Sequence, residues 1–183
     1  MLLRLFIIVV FNLTLSQVAN SDEIPKYDRD LFGGWADTDR DCQNTRHELL
    51  QVFSTKSIKF SENNCRVTEG SWLDPYTNKI FKESSKLDID HLVPLKYGWD
   101  RGAHGWTVKK RKKFANDPNN LFAVEKSVNR QKSAYGPAEW LPPNIKFRCM
   151  YILRFQSIVK TYGLKQSLSE LIKIDAFRER DCK

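Results

Sequence analysis

The chain has 183 residues, enough for one domain with a sizeable core and too few for two large ones. Hydrophobic residues make up 41% and aromatics 12%, which excludes an intrinsically disordered chain. Lysine and arginine outnumber aspartate and glutamate by 30 to 22, an excess that favours polyanionic partners through counterion release and long-range steering.

Met1 to Leu3 and Arg4 form a mildly positive start, followed by the apolar run from Leu5 to Phe11 and by small residues at Ala19-Asn20-Ser21. That order is the pattern of a cleaved signal peptide over residues 1–21. A membrane anchor would need about 20 unbroken apolar residues, and Asn12, Thr14, Ser16 and Gln17 interrupt the run. Residues 22–183 are therefore expected to form one exported, monomeric domain with no membrane attachment after cleavage. Export changes the reading of Cys42, Cys65, Cys149 and Cys182, which contain no C-x-x-C pair and so do not suggest a zinc knuckle or a thioredoxin-like motif. Four cysteines allow three pairings. Cys42–Cys65 with Cys149–Cys182 is favoured, because each closes a local segment flanking the motif region.

After a polar lead-in with Pro25 and Gly33-Gly34, residues 44–53 have helical spacing at Leu49, Leu50 and Phe53. Residues 65–72 alternate as a strand, residues 74–78 form a turn, and residues 79–81 complete an N-terminal hairpin. A second short strand over 86–90 is ended by Pro94. A basic helix over 106–116, a strand over 121–124 and a helix over 125–133 follow. Two C-terminal helices, 149–162 and 167–177, join at Gly163. The fold class is α+β.

The chemistry concentrates in Asp88-Ile89-Asp90-His91-Leu92-Val93-Pro94-Leu95, answered by Asn120-Leu121 and Asn129-Arg130-Gln131-Lys132. Phosphodiester hydrolysis needs an activated water, a centre that absorbs charge on the phosphate, and help for the leaving oxygen. A neutral His91 can take the proton from water. Asp90 and Asn129 offer hard oxygens suited to Mg²⁺, with Mn²⁺ as an alternative. Asn120 joins the catalytic set as a loop brace or an orienting partner of His91. Lys132, Arg130, Arg111 and Lys110 are candidate phosphate contacts, the last two within the basic run 109–113.

Asp90-His91, Asn120 and Asn129 resemble the His-Asn-His (HNH, ββα-metal) endonuclease motif with asparagine in the last position. The wider set is similar to secreted HNH proteins related to the GmrSD restriction endonuclease C-terminal domain. It comprises Cys65-Arg66-Val67, Gly70-Ser71-Trp72, Asp74-Pro75-Tyr76-Thr77, the Asp88–Leu95 run, Trp106, Arg111, residues 114–117, Asn120-Leu121, Asn129, Lys132 and residues 137–143. Relatives often carry Ser-Gly-Ala-x-x-Trp where this chain has Arg101-Gly102-Ala103-His104-Gly105-Trp106, and glycine where Ser133 follows Lys132. The resemblance implies a ββα-metal core with flanking helices, His91 as general base, Asp90 and Asn129 as metal ligands, and Asn120 as support. The expected function is a secreted, metal-dependent endonuclease acting on DNA or RNA with little sequence preference and leaving 5′-phosphate ends. The rival readings are a non-catalytic nucleic-acid-binding protein and a secreted interaction or effector protein on the same fold.

Overall fold

The computed structural model describes residues 23–183. The leader expected over residues 1–21 lies outside them. The lead-in is not featureless: it makes a 3-10 turn at Arg29–Phe32, capped by the Asp28 side chain, and buries Phe32 completely. Helix α1 (Thr45–Phe53) follows, then strands β1 (Lys59–Phe60), β2 (Val67–Leu73) and β3 (Ile80–Glu83) in an antiparallel sheet of order β1-β2-β3. The expected hairpin is thus β2–β3, with β1 added at its edge and an irregular register between Glu69 and Trp72.

Strand β4 (Leu87–His91) pairs antiparallel with β5 (Leu121–Glu125), placing Leu87 opposite Glu125 and His91 opposite Leu121. Between them lie α2 (Leu95–Asp100), a 3-10 turn at Ala103–Gly105, and α3 (Val108–Ala115). Pro94 stops the strand but also starts α2, a helix the sequence pattern did not announce. Leu95, Tyr97, Gly98 and Trp99 are buried and Lys96 and Asp100 are exposed, and six residues are too short a run to show the repeating pattern that marks a helix. Helix α4 (Lys126–Lys132) follows β5 directly. Helices α5 (Ile145–Tyr162) and α6 (Leu168–Asp181) close the chain. Gly163 ends α5 in the left-handed conformation that glycine adopts at no steric cost. Ser167 and Glu170 form a capping box that starts α6.

The β4–β5 ribbon separates two apolar clusters. Side chains alternate along a strand. Leu87, Ile89, Leu121 and Ala123 pack with α1 and Trp72, whereas Val124, with Val128 of α4, joins the larger cluster of Tyr76, Tyr97, Phe114, Tyr151 and Phe155. Disulfides Cys42–Cys65 and Cys149–Cys182 form as expected. Closing loops of 23 and 33 residues stabilises by about 3–4 kcal/mol each in the chain-entropy picture. Among the described residues no helix is long and apolar enough to cross a membrane.

Candidate active site

His91 ends β4 and is only 6% exposed. Its Nε2 lies 2.8 Å from the carbonyl oxygen of Ala115, at the end of α3. A carbonyl only accepts, so Nε2 carries the proton and Nδ1 keeps the lone pair. Nδ1 has no hydrogen-bond partner among the described residues. The Trp35 ring stacks on the imidazole at 5.2 Å and 4°. Burial holds His91 far below the usual imidazole range, at about 3, against the raising influence of the Ala115 carbonyl and with Arg29 and Lys132 adding to the lowering. The imidazole is neutral at neutral pH.

Asp90 points to the other side of the ribbon. Its Oδ2 accepts from the Tyr76 hydroxyl at 2.7 Å, and Lys132 Nζ donates to Oδ1 at 3.0 Å and lies 2.9 Å from Oδ2. The same ammonium donates to the His91 carbonyl at 2.8 Å. Burial raises the Asp90 carboxyl while the Lys132 charge pulls it back, and burial lowers the Lys132 amine. Lys132 is 0% exposed. This corrects one expectation: Lys132 is not a free phosphate contact but the internal counter-ion of Asp90. Asp90 as arranged has both oxygens engaged by protein donors.

Asn129, half-buried on α4, donates from Nδ2 to Asp88 Oδ2 at 3.2 Å. It is thus brought to Asp88, itself half-buried, and makes no hydrogen bond to Asp90. Asn120 is fully buried, and its side chain clamps the residue two beyond His91: Oδ1 accepts from Val93 N at 2.8 Å and Nδ2 donates to Val93 O at 3.2 Å. Its backbone carbonyl also accepts from Leu92 N at 2.8 Å. Of the two roles read from the sequence, the geometry is that of the brace.

The basic candidates also divide. Arg111 is buried and donates to the carbonyls of Leu31, His104 and Trp106, so it staples the lead-in to α3 rather than facing a phosphate. The Lys110 ammonium donates to Tyr162 O at 3.1 Å and sits 4.2 Å from the Trp106 ring centroid, already engaged within the protein. Arg130 is exposed on α4 and makes no ion pair among the described residues. Sequence reasoning missed Trp35, Arg29 and Tyr76 as site residues. Trp35 beside Gly33-Gly34 in a polar segment was the available signal.

Against known proteins, residues 40–171 match the family described as GmrSD restriction endonucleases, C-terminal domain. The chain belongs to this family of restriction-endonuclease domains. An uncharacterised secreted protein of Arthroderma benhamiae is 36% identical over 146 residues, covering 79% of this chain and 70% of that protein. No solved structure matches.

Proposed function

We propose that this protein is an extracellular nuclease that hydrolyses phosphodiester bonds in DNA, and in RNA as a second substrate, on a ββα core formed by β4, β5 and α4. The observation that carries the reading is His91, with Nε2–H fixed on Ala115 O and an uncommitted Nδ1 in a family of endonuclease domains. In this reading Nδ1 takes a proton from the attacking water. Burial weakens the base, but a phosphodiester anion brought alongside favours the imidazolium and restores its basicity. Lys132 holds the His91 carbonyl, Asn120 holds Val93 just beyond it, and Ala115 O holds Nε2, so the ring does not have to be organised during the reaction. Mg²⁺, or Mn²⁺ in its place, belongs in this reading with Asp88 and Asn129, whose half-buried side chains carry hard oxygens. Such an ion supplies Lewis-acid stabilisation of charge on the phosphate. Low sequence preference follows from backbone recognition by cations, which carries no base information.

One observation favours the rival, non-catalytic binding role: both Asp90 oxygens already have protein partners, Lys132 and Tyr76. Nicking of supercoiled plasmid by oxidised protein decides between them, run with Mg²⁺, with EDTA and with His91→Ala. Loss of about 10²–10⁴-fold on removing the base is the expected result. Plasmid and RNA left intact by the wild-type protein under every divalent ion, while both are still bound, would establish the binding role instead.

A further inference from the structure

We propose that Arg29, in the segment ahead of the family-matched residues, is the phosphate-binding cation of the His91 site and receives a nucleic-acid backbone phosphodiester there. The proposal rests on the nuclease reading for what happens next to that phosphate, but not for the binding itself. A cavity of about 120 Å³ lies beside His91, walled by Arg29, Asp30, Trp35, Leu95 and Ala115. A phosphate arriving at a buried imidazole requires a positive partner. Among the residues that wall this cavity Arg29 is the cation, while Lys132, Arg111 and Lys110 are engaged within the protein, on Asp90, on three carbonyls and on Tyr162 O. Arg29 is exposed and makes no ion pair among the described residues.

The segment that carries Arg29 is built into the domain rather than laid over it. Phe32 is 1% exposed and packs on Trp99 and Phe114. Trp99 Nε1 donates to Pro25 O at 2.7 Å, and Arg111 holds Leu31 O at 3.0 Å. The Asn116 side chain accepts from Ala36 N and donates to Gly34 O. Arg29 thus stands on a rigid base, as a binding residue must. Trp35 covers one face of the imidazole, so a phosphate reaches His91 along the ring edge, through the cavity where Arg29 stands. Asp30 shares that cavity and opposes an anion, which gives the proposal a control of opposite sign.

The test is fluorescence anisotropy of a labelled 20-nucleotide single-stranded oligodeoxynucleotide in EDTA, so that binding is read without turnover. Arg29→Ala is expected to bind about 10-fold more weakly, the loss of one charge-assisted contact. It should also reduce the salt dependence by about one released counterion. Arg29→Lys should recover part of the loss, Asp30→Asn should bind more tightly than wild type, and all three should melt with the wild-type protein. Equal affinity and salt slope for Arg29→Ala and wild type would overturn the proposal, as would weaker binding by Asp30→Asn. Binding that depends on Arg29 in a protein that cleaves nothing would support the phosphate subsite and sink the nuclease reading. A wild-type protein that binds no oligonucleotide would overturn both.

Discussion

Replacing Lys132 by methionine keeps most of the side-chain volume and removes the buried ammonium. Asp90 is then left 6% exposed with the Tyr76 hydroxyl as its hydrogen-bond donor. Breaking a buried pair by deleting one partner costs about 3–5 kcal/mol, because the remaining charge is uncompensated. An independent route gives the same size. Protonating Asp90 at pH 7 instead, about three pH units above its unfolded pKa, costs about 4 kcal/mol at 1.36 kcal/mol per unit. In this variant the folded Asp90 binds a proton more tightly than the unfolded chain does, so the deficit is full at pH 7 and shrinks as pH falls towards 4. Removing both charges in Asp90→Asn/Lys132→Met should bring stability back to within about 1–2 kcal/mol of wild type, since a buried pair is worth little net. Urea unfolding followed by tryptophan fluorescence at pH 7 and pH 4.5 measures all four corners of the cycle. At this chain length the single variant should melt about 10 °C lower. A Lys132→Met deficit under about 1 kcal/mol at pH 7, or one that is the same at both pH values, would refute the buried ion pair.

His91 has its folded pKa depressed to about 3 from an ordinary 6.5. A depressed value means that the unfolded chain binds the extra proton, so this contribution is complete above about pH 6.5 and is lost as pH falls towards 3. Relative to His91→Gln, the wild-type protein should lose about 3 kcal/mol between pH 7 and pH 4 in urea titrations. Parallel pH curves for the two proteins would remove the claim that His91 is buried neutral. Asn120→Ala leaves the buried Val93 N–H and carbonyl without their partner and should cost about 2–4 kcal/mol by chemical denaturation. A loss under about 1 kcal/mol would mean that the clamp after His91 does not hold.

The elements with an exposed face were legible. The amphipathic α1, the alternating β2, the basic α3 and the Gly163 break between α5 and α6 all fall close to where their patterns placed them. Helix α2 was not, because its six residues, of which only Lys96 and Asp100 are exposed, are too few to establish a period. The motif order also survived: His91, Asn120 and Asn129 sit on β4, before β5 and on α4. What spacing could not show is which polar groups satisfy one another. Asp88 and Asp90 share a strand face, and only the tertiary positions of Tyr76 and Lys132 give Asp90 to the ion pair and Asp88 to Asn129. The basic run 109–113 reads uniformly in sequence, yet Arg111 turns inward as a carbonyl staple while Lys109, Lys112 and Lys113 face solvent. A charge buried for packing and a charge displayed for binding look identical in one dimension.

The Cys149–Cys182 bond joins the first turns of α5 to the end of α6. Helix α6 has a single buried residue, Ile174, so little core packing opposes its swinging away. The cross-link turns that excursion from a free arm into a closed ring. The connection between the helices exposes Gly163 and Lys165 to any protease in the surroundings. A cut there leaves two fragments that stay joined, keep α6 within reach of α5, and run as one species on a gel until a reductant is added.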